Sequence, residues 1–243
     1  MWAGQMACTD KENSSSRRLL VVAAGGARSV LVLGEAAFDE RGAVLTAQIP
    51  PTADRALLTV GHSTLGPGEL RDRLLGAGVS LLLDVRRFPA SRRQPHLAAE
   101  ALDPWMASAG IQYRWDVRLG GRRHLPMGVA SLDPWWTVAA FRAYAAQTRT
   151  VDFQAGLAGL LEDADRGWVA VMCSEALWWR CHRRLIADVV LGQAGRAVTH
   201  LMPLGTTMQH RVSQGARLGA EGLLVWDGDA AARKATSPSA PAR

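Results

Sequence analysis

The stretch GWVAVMCSEALWWRCHRRLIADVVLGQAGRAVTHL, residues 167–201, decides the fold class of this chain. Residues 167–173 are an apolar run that ends in a cysteine, as expected for a strand covered on both faces. Residues 179–192 have the apolar spacing of an amphipathic helix, and residues 197–201 form a second short apolar run. Because a strand, a helix and another strand follow in that order, the stretch predicts two parallel strands joined by a helix.

The same alternation extends back toward the N-terminus. Residues 57–61 and 79–85 are apolar runs, and the segment between them has the features of a helix, with Pro67 in its first turn and Gly76 and Gly78 at its end. Further helices are predicted over residues 97–110 (where Pro104 breaks or restarts the helix), 136–147 and 152–165, and further strands over residues 111–115 and 222–226.

These elements predict an α/β fold: a single domain with a mostly parallel sheet flanked by helices on both faces, plus a short C-terminal β element. The domain is expected to span residues 57–228. Residues 1–56 are expected to form an N-terminal extension that is partly disordered or a small hairpin. Residues 229–243 lack large apolar side chains and are expected to form a disordered tail.

The composition suits one well-packed domain and favours anionic partners only weakly. Of the 243 residues, 48% are hydrophobic, and 28 basic against 22 acidic residues give a net charge of +6. Lys11 and Lys234 are the only lysines, both in the expected tails, so the excess of arginine partly reflects the codon usage of a GC-rich genome. For that reason the clustering of arginines, rather than their number, bears on function.

The cysteines and the hydropathy pattern indicate the cytoplasm. Cys8, Cys173 and Cys181 do not make the disulfide framework of a small secreted domain. No signal peptide is evident, and Arg28 and Glu35 interrupt the N-terminal apolar stretch, well short of the ~20 residues that a membrane helix needs. We therefore expect a cytoplasmic protein with no membrane partner.

Polar side chains follow the apolar runs at the points where the strands are expected to end. Because ligands of open parallel sheets bind beyond the carboxyl ends of the strands, these side chains are expected to meet at one edge of the sheet. Taken singly, each has a structural explanation, since an aspartate at such a position commonly caps a turn. The side chains are His62 and Ser63, Asp84 and Arg86, Cys173 and Glu175, and His200.

Cys173 is the strongest candidate for chemistry. A cysteine between a buried strand and a helix lies near amide donors and the positive end of the helix, which lower the pKa of a thiol. Arg180 and His182 are close enough in sequence to stabilise the anion or to transfer a proton. The loop resembles those of thiolate phosphatases and sulfurtransferases, but it is longer and contains the bulky Trp178 and Trp179. A buried, inert cysteine therefore stays open as an alternative.

A metal site is a further alternative for the cysteines. Zinc ligands usually come in pairs about two to four residues apart, whereas Cys173 and Cys181 are more widely spaced. If Cys181 and His182 both lie in the predicted helix, their side chains diverge by about 100°, and only one would face an ion. A fourth ligand would have to come from His62 or His200. A reversible disulfide between the two cysteines is equally open.

The arginines cluster in three loops beside the expected edge of the sheet. Solvated loops collect arginines, yet three clusters at one edge favour an anionic ligand such as a phosphate, a nucleotide or a nucleic-acid backbone. Nearby tryptophans would stack on bases, although large aromatic side chains more often belong to the core. The clusters are Arg86, Arg87, Arg92 and Arg93; Arg118, Arg122 and Arg123; and Arg180, Arg183 and Arg184, and the tryptophans are Trp135, Trp136, Trp178 and Trp179.

The order of these motifs resembles that of the domain-of-unknown-function 488 (DUF488) family. The resemblance rests mainly on TVGHST (59–64), LLLDVRRFPASRRQPHL (81–97), GIQYRWDVRLGGRR (110–123) and VAVMCSEALWWRCHRRLIADVVL (169–191). It implies a parallel α/β fold, brings no settled reaction, and does not extend to residues 1–56. The site that it implies consists of His62, Ser63, Asp84, Arg86, Arg92, Cys173, Glu175, Cys181, His182 and Arg183.

The sequence thus predicts a small enzyme that acts on an anionic, phosphate-bearing substrate through Cys173. The alternatives are a nucleotide- or nucleic-acid-binding module with structural cysteines, and a metal-binding Cys/His site. No metal or cofactor is assigned, and the oligomeric state does not follow from the sequence. The predicted catalytic residues are Cys173, His62, His182, Glu175 and Asp84, and the predicted substrate-binding residues are Ser63, Arg86, Arg92, Arg122 and Arg183.

Overall fold

The computed structural model describes the strands β1 (Val21–Ala24) and β2 (Ala27–Val30) together with residues 56–90, 94–125, 128 and 130–228. The chain divides into two units, Met1–Ile49 and Pro50–Arg243. In the first unit β1 and β2 pair antiparallel, with Val21 opposite Val30. The expectations for the rest of the N-terminal extension and for the tail over residues 229–243 lie outside the described residues.

The second unit is built on a six-stranded, mostly parallel sheet. Its strands are β3 (Leu57–Gly61), β4 (Leu81–Asp84), β5 (Gln112–Trp115), β6 (Val169–Cys173), β7 (Val198–Leu201) and β8 (Thr207–Gln209). They lie in the order β5-β4-β6-β3-β7-β8, all parallel except for the edge strand β8. Two further strands, β9 (Ala216–Leu218) and β10 (Leu224–Trp226), form a separate antiparallel pair.

Helices cover both faces of this sheet. They are α1 (Pro67–Gly76), α2 (Ala99–Ser108), α3 (Ala139–Thr148), α4 (Val151–Arg166) and α5 (Arg183–Ala194). Successive strand residues point to opposite faces. Accordingly Leu58 and Leu82 pack into one core with α1 and α2, while Leu57 and Leu83 pack into another with α3, α4 and α5. The predicted fold class, including the short C-terminal β element, is confirmed.

Two differences between the predicted and the observed helices bear on the packing and on the site. α2 continues through Pro104 without a break, because Leu102 and Met106 are fully buried and hold the helix on the sheet. Their packing outweighs the roughly 3 kcal/mol that a proline costs inside a helix. α5 begins at Arg183, later than predicted, and is preceded by a 3-10 turn at Trp178–Arg180. This later start changes the geometry of the site.

The longest described helix is α4, which carries charged side chains along its length. Within the ranges that the structure describes, no helix is both long enough and apolar enough to cross a membrane.

Candidate functional site

The three central strands β4, β6 and β3 end side by side. Gly61, the last residue of β3, lies opposite Cys173, the last residue of β6. The pairing continues past the strands, since the backbone N–H of His62 donates to the carbonyl of Cys173 at 3.0 Å and that of Ser63 to the carbonyl of Ser174 at 2.9 Å. The loops after β3 and β6 are therefore held against each other, as the strand-end argument requires.

This contact explains the glycine before His62. A Cβ atom at Gly61 would lie 1.9 Å from the carbonyl oxygen of Glu175, a distance that no side chain can adopt without a shift of the backbone. Glycine at this position thus lets the β3 loop approach the β6 loop closely enough to form one site.

A cavity of about 570 Å³ opens at this edge of the sheet. Such a volume is in the range of small-molecule binding sites. Two predicted residues, Asp84 and Arg183, are buried beside the lining and do not belong to it, and Arg92 lies outside the described residues. The predicted residues that line the cavity are His62, Ser63, Arg86, Arg122, Cys173, Glu175 and His182.

Backbone strain is concentrated at this cavity. Among the described residues other than glycine, only Ser63 (φ 43°) and Arg122 (φ 54°) have positive φ angles, and both line the cavity. Residues held in this region of conformational space cost of order 1–3 kcal/mol each, and they collect at functional sites.

Two sulfurs and one imidazole meet in the buried part of the lining, and we call Cys173, Cys181 and His182 the Cys/His cluster. His182 Nδ1 lies 3.6 Å from Cys181 Sγ and 3.8 Å from Cys173 Sγ. All three ligand-type atoms are within 4.8 Å of one another. Both cysteines are reduced and buried.

The late start of α5 brings these groups together. Cys181 has an extended backbone (φ −127°, ψ 151°), and His182 is the N-cap residue of α5. The expectation that both side chains lie in one helix and diverge was therefore wrong. Because Cys181 precedes the helix, its side chain and that of His182 both point toward Cys173. The family resemblance includes Cys181 in the site, but the predicted catalytic and substrate-binding residues did not include it, and no pattern of spacing in the sequence indicates this convergence.

The imidazole of His182 has one possible neutral tautomer here. Its Nε2 lies 3.1 Å from the carbonyl oxygen of Val85, which can only accept a hydrogen bond, so Nε2 carries the proton. Nδ1 is then left with a lone pair that faces the two sulfurs. The ring of Tyr144 packs at 5.0 Å between centroids, and a Cβ atom at Gly121 would lie only 2.7 Å from Nδ1. Residues from separate segments thus fix the ring.

Of the two thiols, Cys181 has the lower pKa. The hydrogen bond with Cys181, burial and the charge of that neighbour raise the pKa of Cys173 to about 12. Burial also acts to raise the pKa of Cys181, but the hydrogen bond from Cys173 and the charge and N–H groups of Arg183 outweigh it and lower this pKa to about 6. The low pKa expected for Cys173 is thus found at Cys181, because Cys181 and not Cys173 lies at the N-terminus of α5.

Asp84 acts on Arg86 and does not reach the cavity. Its fully buried carboxylate accepts hydrogen bonds from Arg86 Nε at 2.9 Å and Nη2 at 2.6 Å, and from the hydroxyl of Tyr113 at 2.8 Å. Arg86 is therefore positioned and largely neutralised. Its Nη1 lies 3.4 Å from His62 Nε2. Burial and the charge of Arg86 lower the pKa of His62 to about 4, so this imidazole is neutral at pH 7.

The charge of the other arginines in the lining is not matched by a carboxylate of the described residues. Arg87, Arg122 and Arg180, which we call the arginine rim, line the cavity, and no acidic side chain among the described residues forms an ion pair with them. Among the described residues, Glu175 is the one carboxylate in the lining. The sequence places all three in clusters but assigned a binding role only to Arg122, since pairing between distant residues is not visible in a sequence.

Arg183 lies beneath the site and supports it. Its side chain is 1% exposed. Its Nη2 donates to the carbonyl of Glu175, and its Nη1 to the hydroxyl of Thr59 at 3.4 Å. No carboxylate in the described part of the chain forms an ion pair with this buried cation. Arg183 does not line the cavity, and its contact with substrate stays a prediction.

A chain of buried hydrogen bonds leads from Arg183 through Thr59 to Asp188. We call its five members the buried polar chain: Arg183, Thr59, His200, His210 and Asp188. Asp188 accepts from His210 Nε2 at 2.9 Å, which leaves His210 Nδ1 to accept from His200 Nε2 at 3.1 Å. His200 Nδ1 in turn accepts from the Thr59 hydroxyl at 2.7 Å. In every hydrogen bond of the chain, therefore, the residue nearer Arg183 is the donor and the residue nearer Asp188 is the acceptor.

His200 thus belongs to this chain and does not line the cavity. It aligns with Thr59 in the middle of the sheet and is 1% exposed. The ring of Trp178 stacks on it at 4.1 Å, and Trp136 is buried against Phe141 and Trp226. Trp136 is buried in the core and offers no face to a base, while Trp178 is half-buried with one face covered by His200.

Comparison with known proteins identifies a family. The sequence model of the family described as Domain of unknown function DUF488 matches residues 68–190, which is half of the chain. The matched segment contains both cysteines of the Cys/His cluster, His182 and the arginine rim. No curated protein and no solved structure matches the chain.

Proposed function

The chain belongs to the DUF488 family, and we propose that it is a small enzyme whose strand-end cavity binds a phosphate-bearing small molecule and transforms it at the Cys/His cluster. The observation that carries this proposal is that the arginine rim and the Cys/His cluster line the same cavity. One part of the lining offers charge for binding an anion, and the other offers groups capable of chemistry.

The charge balance of the lining supports an anionic ligand. Arg86 is held by Asp84, so its charge is already matched. The arginine rim then faces a single carboxylate, that of Glu175, and leaves a net positive field in a partly enclosed space. Guanidinium groups form paired hydrogen bonds to phosphate oxygens, and these are stronger in such a space than in open solvent.

The reacting atoms are the two sulfurs and the imidazole nitrogen. Cys173, the nucleophile that the sequence predicts, lies against Cys181, and His182 Nδ1 faces both. Glu175 and His62 border the same space from the two adjacent loops. In this proposal the arginine rim orients the phosphate group beside the cluster.

Binding is tested by calorimetry with inorganic phosphate, pyrophosphate and adenosine 5′-monophosphate at low ionic strength. We expect the double variant Arg122→Met/Arg180→Met to bind at least tenfold more weakly, since hydrogen bonds to a charged group contribute about 1.5–3 kcal/mol each. Arg166→Met, at an exposed ion pair on α4, is the matched control and should bind as the wild type does. Equal affinity of the double variant and the control would overturn the proposal.

Turnover is tested with the same compounds and their esters, with products followed by ³¹P NMR. We expect Cys173→Ser and Cys181→Ser to retain anion binding and to lose product formation, because the rim does not include either cysteine. Product formation that survives both substitutions would show that the cluster does not carry the chemistry.

A nucleic-acid surface is the second candidate. Phe88 (63% exposed) and Trp115 (46% exposed) border a surface cleft beside the cavity, together with Arg87 and Arg123. Exposed aromatic rings between arginines stack on the bases of single strands. Binding of a labelled single-stranded oligonucleotide that weakens steeply with salt and is lost in Trp115→Ala would favour this candidate over a small-molecule substrate.

A further inference from the structure

We propose that Cys173, Cys181 and His182 hold a zinc ion in a three-ligand site whose fourth coordination position opens into the strand-end cavity. The inference deepens the proposed function, and it rests on that function only for what occupies the fourth position. The three ligands themselves follow from the geometry of the Cys/His cluster.

The spacing of the ligand atoms already fits the ion. With Zn–S of about 2.3 Å and Zn–N of about 2.0–2.1 Å, tetrahedral coordination separates neighbouring ligand atoms by roughly 3.5–3.8 Å. In this protein His182 Nδ1 lies 3.6 Å from Cys181 Sγ and 3.8 Å from Cys173 Sγ. The two sulfurs lie within 4.8 Å of each other. Both distances to the imidazole nitrogen therefore suit the ion already, and side-chain rotation of the cysteines can bring the sulfurs to the spacing that it needs.

The imidazole is oriented as a metal ligand is. Histidine ligands commonly donate their second ring N–H to a carbonyl or carboxylate, which fixes the tautomer and the direction of the lone pair. His182 does so through Nε2 and the carbonyl of Val85 at 3.1 Å. The lone pair on Nδ1 then faces the two sulfurs, and no other hydrogen-bonding group in the described part of the chain contacts it.

The surroundings also favour thiolate ligands. Arg183 is 1% exposed and forms no ion pair with a carboxylate in the described part of the chain, yet its charge acts on Cys181. Two thiolates, one zinc ion and this arginine leave a small net charge in the buried region, which avoids the large cost of an isolated buried ion. A disulfide between the cysteines would remove the thiolate on which the Arg183 charge acts, and would leave the Nδ1 lone pair facing sulfurs that carry no proton to donate.

The donor set determines the class of ion and the open position. Two sulfurs and one nitrogen favour zinc and similar soft-ligand ions over magnesium or calcium. Within the described residues no further histidine, cysteine or carboxylate joins the cluster as a fourth ligand. Zinc sites with three protein ligands and an open position are typical of catalytic zinc, which polarises an oxygen of the bound substrate. A phosphate oxygen held by the arginine rim fits that position.

The test replaces zinc by cobalt(II) in the full chain. Protein stripped with a chelator is titrated with cobalt, and we expect one cobalt per chain, with sulfur-to-cobalt charge-transfer bands and the intense visible bands of tetrahedral cobalt. Cys173→Ser and Cys181→Ser should abolish the charge-transfer bands from the missing sulfur, and His182→Gln should weaken binding. Cys8→Ser, which removes the cysteine outside the cluster, is the control and should leave the titration unchanged.

The outcomes separate this inference from the proposed function. Absent cobalt bands, charge-transfer bands of undiminished intensity in either Cys173→Ser or Cys181→Ser, or a metal-free chain with a Cys173–Cys181 disulfide by mass spectrometry would overturn the metal site, even if phosphate binds. Added phosphate should shift the visible cobalt bands in the wild type and not in Arg122→Met/Arg180→Met. Normal cobalt binding with no phosphate response in the wild type would support the metal site and contradict the proposed anion at the fourth position.

Discussion

The imidazole of His182 is held on three sides by groups that lie far apart in the sequence. The Val85 carbonyl fixes its proton, the Tyr144 ring covers one face, and the backbone at Gly121 lies against the edge that carries Nδ1. None of these contacts touches a sulfur. They nevertheless decide whether Nδ1 faces the sulfurs, so a change at a residue without reactive groups should alter the site.

We therefore expect Gly121→Ala to weaken cobalt binding by about 10- to 100-fold, the range seen for residues that orient a metal ligand. The added Cβ would lie 2.7 Å from Nδ1, so the ring must shift from the position in which Nδ1 faces the sulfurs. Competition with a chromophoric chelator measures the affinity. Gly76→Ala is the control, since no atom lies within 4 Å of a Cβ there. The same affinity in both variants would show that Gly121 does not position the ring.

The connection from β6 to α5 shows why the site was only partly predictable. The placement of Cys173 and His62 followed from apolar runs and from the rule that parallel strands end at one edge. The convergence of Cys181 and His182 depends on where α5 begins. Trp178 stacks on His200 of β7, in the turn that precedes this helix, and a helical apolar pattern in one segment contains no information about such a contact.

The loop before α3 is joined to the C-terminal strand pair through Asp133. This carboxylate is fully buried, pairs with Arg149 of the α3–α4 connection at 2.7 Å, and accepts the backbone N–H of Trp226 in β10 at 3.1 Å. One side chain therefore ties together three elements that no sequence pattern connects.

Asp133→Ala should lower the free energy of unfolding by about 3 kcal/mol, because it leaves the Arg149 charge and a buried N–H without their partner. Urea unfolding at pH 7 measures the loss. Glu162→Ala removes one partner of an exposed ion pair on α4 and should change stability by no more than about 0.5 kcal/mol. A similar small change for both variants would mean that the Asp133 contacts do not stabilise the domain.

The fold class of the whole domain was predictable because each central strand is apolar on both faces, and only a sheet between two helical layers buries such strands. Three other features could not be predicted from the sequence: the strand order, the neutralisation of Arg86 by Asp84, and the unpaired charge of the arginine rim. They depend on which distant segments become neighbours. Composition alone could not separate paired arginines from unpaired ones in a chain with so many of them.

The stability of the whole domain should fall in mild acid through His200. Burial and the charges of His210 and Arg183 lower its pKa from 6.5 to about 3. Below pH 6.5 the unfolded chain takes up a proton at this residue that the folded protein does not bind. The free energy of unfolding therefore decreases as pH falls from 6.5 toward 3, by up to about 1.4 kcal/mol per pH unit.

Urea unfolding of the wild type and His200→Gln at pH 6.5 and pH 5.0 isolates this contribution. The variant lacks the titrating group, so the stability difference between the two proteins should shrink by about 2 kcal/mol at the lower pH. His124→Gln, at an exposed histidine, should not change the pH dependence. A stability difference that is the same at both pH values would contradict the buried neutral state of His200.

The buried polar chain from Arg183 to Asp188 has an evolutionary consequence. In each of its hydrogen bonds the acceptor is the residue nearer Asp188. Whether a member acts as donor or acceptor to one neighbour therefore depends on the hydrogen bond that it forms with the other. A lineage that exchanged one of the two histidines for an apolar residue would leave its two polar neighbours buried without a hydrogen-bond partner on that side. These five positions are therefore expected to covary, retained together in some branches of the family and replaced together by apolar side chains in others.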